Sequence, residues 1–207
     1  MPRRNSPRSD NLRRAMAQEA ARIMAEHGVH DFLTAKRKAA ERYGNPDDAS
    51  WPRNTEIEAA LVEYQRLFGA ATHDTRLQQQ RFAALQAMRR LARYEPRLVG
   101  PVLSGTATAH SDVQLHLFSD QPEVVGLELL DRGVAHEVFE RRHRMNAELI
   151  RSYPGVRFEV DGETIEATVF PLDGIRQAPV SPVDGRPMRR ADTTELEILV
   201  AEVGANR

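Results

Sequence analysis

The 207-residue sequence predicts an α+β protein, with an N-terminal helical domain followed by a small mixed-sheet α/β domain. Three observations carry this. Up to Tyr94, apolar residues recur at three- and four-residue steps, the period of an amphipathic helix. From Leu98 the texture changes to short alternating runs. Residues 156–170, VRFEVDGETIEATVF, then join two such runs through Asp161-Gly162, a strong local hairpin signal because a type I′ turn needs positive φ at both positions. Helices first and mixed strands later place the chain in the α+β class.

Residues 1–10 read as a disordered basic tail: charged, with Pro and Ser, and aperiodic. Leu12, Met16, Ala20, Ile23 and Met24 mark a first helix, with Gly28 as its stop. A second is expected from Asp31, its cap, to Tyr43, ended by Gly44-Asn45-Pro46. The loop 45–54 holds the only tryptophan. A third helix starts near Asn54 or Thr55, shows Ile57, Leu61, Tyr64 and Leu67 on one side, and stops at Gly69. A fourth is expected over 75–94, with Asp74 as its cap and Leu77, Phe82, Leu85, Met88 and Leu91 as its apolar stripe. The helical domain is thus 11–97 and the α/β domain 98–207.

In the second domain Leu98–Leu103 is a short apolar run that reads as a strand, and Asp112–Leu117 alternates strictly. Pro122–Leu130 is expected to be a helix with proline in its first turn, closed by Gly133. A strand over Val134–Arg141, the hairpin, a loop-rich stretch from 171 to 191 with four prolines and four arginines, and a helix over Thr193–Val203 complete the order.

Composition excludes several classes. There is no cysteine, which removes disulfides and thiolate chemistry and fits a cytoplasmic location. No apolar run approaches the roughly 20 residues of a membrane span, and the basic start leads into no apolar signal region. A P-loop, a dinucleotide-binding glycine motif, H-E-x-x-H and G-x-S-x-G are all missing. Residues 1–97 hold 18 Lys and Arg against 12 Asp and Glu, net +6; residues 98–207 hold 11 against 18, net −7. The first half suits a polyanion and the second a cation, or the two simply attract each other.

Chemistry concentrates in SGTATAHSDVQLHLF, residues 104–118. Residues two apart in a strand share a face, about 6.6 Å along the backbone. Val113, Leu115 and Leu117 therefore point into a core, and Asp112, Gln114 and His116 point the other way. Upstream, Gly105 and Thr106 form a turn able to bring backbone N–H groups to a phosphate. This segment resembles the signature of the polymerase-beta-like nucleotidyltransferase superfamily: an apolar strand (Val102-Leu103), a glycine turn (Ser104-Gly105-Thr106), a linker, then Ser111-Asp112-Val113-Gln114-Leu115. The second half also resembles bacterial proteins described only as nucleotidyltransferase-like.

That resemblance implies metal-dependent transfer of a nucleotidyl group from a nucleoside triphosphate to an unknown acceptor, nucleic acid or protein. Asp112 and Glu166 would be catalytic and hold Mg²⁺ or Mn²⁺. Gly105, Thr106 and Ser111 would bind the nucleotide, with Gln114 as a neutral partner. Two Mg²⁺ ions about 3.5–4 Å apart serve the attacking and leaving oxygens of such a transfer. Where the family has a second carboxylate this chain has Gln114, so the same fold also allows a catalytically inactive nucleotide- or macromolecule-binding module. Glu140 rivals Glu166 as the further carboxylate. His116 adds a polar group to the same face, and Arg186, Arg189 and Arg190 are candidate phosphate contacts.

Overall fold

The computed structural model describes residues 7–47, 50–68 and 70–204. Among them lie seven α-helices and a five-stranded mixed sheet, the α+β class the sequence predicts. Chain contacts divide the molecule into two compact units, with the boundary between Asp74 and Thr75 rather than near residue 97.

The first unit contains α1 (Pro7–His27), α2 (Phe32–Arg42) and α3 (Asn54–Phe68). Ala17, Ala20, Ala21, Ile23 and Met24 of α1 meet Ala35 and Ala39 of α2 and Ile57 and Leu61 of α3. The alanines let the helices approach closely. Asp31 caps α2 as expected, accepting from the Thr34 N–H at 2.7 Å. Pro7–Asp10 belong to α1 and not to a tail, whereas residues 1–6 of that expected tail, and the expected stop Gly69, lie outside the described residues.

The boundary falls inside α4 (Ala70–Arg90), which begins before the expected start. Ala70 and Ala71 favour helix, so Asp74 lies inside it rather than capping it. Leu77, Leu85, Met88 and Leu91 are buried as expected, but Phe82 is 52% exposed. Next come β1 (Arg97–Val99), α5 (Gly100–Ser104), β2 (Val113–Phe118), α6 (Glu123–Asp131), β3 (His136–Arg144), β4 (Ile150–Val160), β5 (Glu163–Phe170) and α7 (Thr193–Gly204). The apolar run Leu98–Leu103 is thus mostly helix. Gly100, at φ +71°, ends the strand, and Pro101 suits a first helical turn but not a ladder.

Sheet order is β1-β2-β5-β4-β3; β2 and β5 are parallel, the other pairs antiparallel. Asp161 (φ +52°) and Gly162 (φ +79°) make the expected two-residue turn between β4 and β5. One sheet face is apolar. Leu98, Val113, Leu115, Leu117, Val156, Phe158, Ile165, Ala167 and Val169 pack there with α4, α6 and α7. Each fully buried Leu or Ile contributes roughly 1.5–3 kcal/mol. Strand alternation puts the polar residues on the other face. Against it lie stretches 171–181 and 185–191, the parts of the loop-rich segment that group with the sheet. The segment starts at β5, reaches β3 where the Val180 N–H donates to Arg144 O at 2.7 Å, and returns to β1 where Leu98 and Ala191 exchange backbone bonds of 2.8 and 2.9 Å. Because β1 and β3 are opposite edges, this strap spans the sheet. No helix among the described residues is long and apolar enough to cross a membrane.

Candidate functional site

The parallel pairing of β2 and β5 sets Gln114 directly opposite Glu166. Both side chains stand on the polar face. Asp112, half-buried, immediately precedes β2 and by alternation shares the Gln114 side, about 6.6 Å further back along the chain. Glu140 sits on β3 out of phase with Glu137 and Arg141, so it lies on the opposite sheet face and does not join this group.

Glu166 is 3% exposed and is not free to bind a metal as it stands. Oε1 accepts from Nη2 of Arg157 at 2.5 Å, and Oε2 accepts from Nη2 of Arg141. Burial alone would push this carboxyl up. The Arg157 hydrogen bond and the Arg141 charge outweigh it and hold the carboxyl below the ordinary glutamate range. Arg157 is correspondingly raised, first by its bond to Glu166, with Asp112 and Glu137 adding smaller attractions.

The clamp follows from the sheet. A two-residue turn pairs Val160 with Glu163 and so sets Arg157 opposite Glu166. Arg141 comes from β3, two strands away, and reaches past β4 to Glu166, while Gly155 on β4 leaves room for the Phe139 ring. A Cβ on Gly155 would lie 2.5 Å from Phe139 Cζ and 2.8 Å from Ala167 O. Phe139 lies over that glycine, with the Arg141 and Arg157 guanidinium carbons 5.4 and 5.8 Å from its ring centre.

The expected glycine turn is placed differently. Gly105, at φ +82°, is the C-cap of α5, and its N–H and that of Thr106 both donate to Pro101 O at 2.9 Å. Those backbone donors close a helix end and do not form a cradle. The Thr106 hydroxyl pairs with Ser104 Oγ at 2.9 Å. Ser111 Oγ accepts from the Thr108 N–H at 2.9 Å, and Thr108–Ser111 group with the helical unit rather than with the sheet. The glycine that does face the polar strand is Gly100. A Cβ there would fall 2.6 Å from Gln114 Oε1.

His116 is 2% exposed, not a surface residue, and Arg190 Nε donates to its Nδ1 at 3.1 Å. Of the three candidate arginines, Arg190 reaches this face. The charge of Arg189 adds to burial in lowering the Arg81 guanidinium. Among the described residues no group of three or more His, Asp or Glu side chains is arranged to hold a metal ion. The face therefore places Gln114 and Glu166 side by side, Asp112 at the strand head, and guanidinium groups where a metal centre would need free carboxylates. Arg141 and Arg157 were the missed residues; Arg157 could have been found by counting back across the Asp161-Gly162 turn. No family model matches the chain, and no curated protein matches it.

Proposed function

We propose that this protein is a nucleotidyltransferase-like module that binds the phosphates of a nucleotide on the polar sheet face without transferring it. The clamped Glu166 carries this reading. A two-metal centre needs several carboxylate oxygens. Here one position is the neutral Gln114, and both oxygens of Glu166 are taken by guanidinium donors. Ligating Mg²⁺ would require Glu166 to give up two charge-assisted bonds, each among the stronger hydrogen bonds a protein makes. Arginines supply positive charge in place of the metal, and Arg157, 44% exposed at its side chain, is open to a ligand phosphate.

Metal-dependent transfer to an acceptor is the second reading. Asp112 favours it, standing on the Gln114 side at the head of β2, as the resemblance requires. Titration with nucleoside triphosphates, in EDTA and then in Mg²⁺ or Mn²⁺, with pyrophosphate release followed in parallel, separates the two. The module binds in EDTA and releases no pyrophosphate. Transfer requires metal and releases it. Asp112→Asn leaves binding by the module within about twofold and abolishes metal-dependent binding by a transferase.

A further inference from the structure

β3 lies at one edge of the sheet and pairs with β4 in an unbroken register from His136 to Arg144. Just past that ladder the Met145 N–H donates to Leu149 O, so the odd-numbered residues of β3 turn their backbone groups toward β4. The even-numbered residues turn theirs outward. Arg144 agrees with this, since its carbonyl accepts from the Val180 N–H at 2.7 Å on the open side. From His136 to Arg142 the outward N–H and C=O groups meet no backbone partner among the described residues. The open stretch is therefore 136–142, with Phe139 at its centre.

An open edge is a template for another strand. Proteins blunt such edges with a short strand, proline, a bulge or charge. β3 is 9 residues long, contains no proline and pairs without a bulge, so charge alone guards it. That charge is divided along the strand. Glu137, 78% exposed at its side chain, lies toward one end, and Arg141 and Arg142 lie toward the other. Val138 adds an apolar side chain that is 75% exposed.

We propose that this edge binds a second copy of the chain, β3 against β3, antiparallel about a two-fold axis through Phe139. In that register Glu137 stands opposite Arg141 of the second copy, twice over by symmetry, and cross-strand partners of opposite charge attract. Arg141 keeps guanidinium donors beyond the one it gives Glu166. Val138 stands opposite Glu140, and His136 opposite Arg142. Every outward backbone group from His136 to Arg142 is paired, and the two sheets become one. Other registers fit less well. Centring on Glu140 sets that carboxylate against its own copy. Centring on Arg141 opposes two guanidiniums and draws on Arg144 O, which Val180 already holds. Centring on Val138 sets Arg141 and Arg142 against Ala135 and Val134, ahead of the strand. The pairing requires no nucleotide, so it stands or falls apart from the phosphate reading.

The test is sedimentation equilibrium of the full chain, without nucleotide, from about 1 to 200 µM. A concentration-dependent dimer is expected. Val138→Pro removes an outward N–H that β4 does not use, and is expected to abolish the dimer while sparing the β3–β4 ladder. Glu137→Arg, at an exposed side chain, is expected to weaken it about tenfold, and decides the matter if Val138→Pro does not fold. The register is read from Phe139→Cys, because the chain has no cysteine of its own. Opposed residues outside the hydrogen-bonded pairs bring their Cα atoms to about 4.5 Å, within disulfide reach. Mild oxidation of that variant is expected to yield a cross-linked dimer. A monomer at every concentration, as when the edge serves a strand of some other protein, overturns the proposal. A dimer unchanged in Glu137→Arg, or no cross-link in Phe139→Cys, overturns it as well.

Discussion

Glu166 shows how a single side chain redirects a site. A carboxylate at 3% exposure must be paired or neutralised. Two guanidiniums pair it, and its pKa falls below the ordinary 4.5. A carboxyl depressed on folding stabilises the folded state above its unfolded pKa and loses that contribution as pH falls through the folded value. Stability from this clamp is therefore complete at neutral pH and declines on acidification below about pH 4.5. Glu166→Gln is expected to destabilise the fold by about 2 kcal/mol at pH 7, since two partly buried guanidiniums lose their counter-charge. The variant should also flatten the acid limb of a urea-midpoint-against-pH curve. An unchanged midpoint and an unchanged acid limb would show that the clamp contributes nothing.

At the scale of elements, the hairpin governs the site. Asp161-Gly162 was legible from sequence because only certain residues tolerate positive φ at both turn positions. That turn also fixes the Arg157–Glu166 pairing. Arg141 was not legible, because the β3–β4 connection carries no comparable turn signal and its register appears only in the folded sheet. The helix α5 was misread as strand because a short apolar run fits either element; Gly100-Pro101 was the available clue. The burial of His116 was not legible, because the segment that supplies its partner Arg190 is distant in sequence and aperiodic. Gly162→Ala is expected to lower stability by about 1 kcal/mol, the strain of a Cβ at left-handed φ, read as a urea midpoint. Gly155→Ala should lower it by about 1–3 kcal/mol, because backbone as well as Phe139 blocks the added methyl. If it leaves stability unchanged, Phe139 does not need that glycine.

For the whole molecule, the class and the order of elements followed from periodicity, and most boundaries fell within a few residues. The unit boundary did not, because α4 reads as helical throughout while its packing partners are strands and helices far ahead in the chain. The acidic second half suggested a bound cation. On the sheet face, arginines of that same half meet Glu166, and Arg190 is left without an acidic partner among the described residues. The central claim is binding without metal or transfer, and one measurement addresses it most directly. A nucleoside triphosphate is titrated into the full chain in EDTA, Mg²⁺ is then added, and pyrophosphate is assayed throughout. Saturable binding in EDTA, little changed by Mg²⁺ and with no pyrophosphate released, is the predicted result. Binding that appears only with Mg²⁺, accompanied by pyrophosphate release, would contradict it.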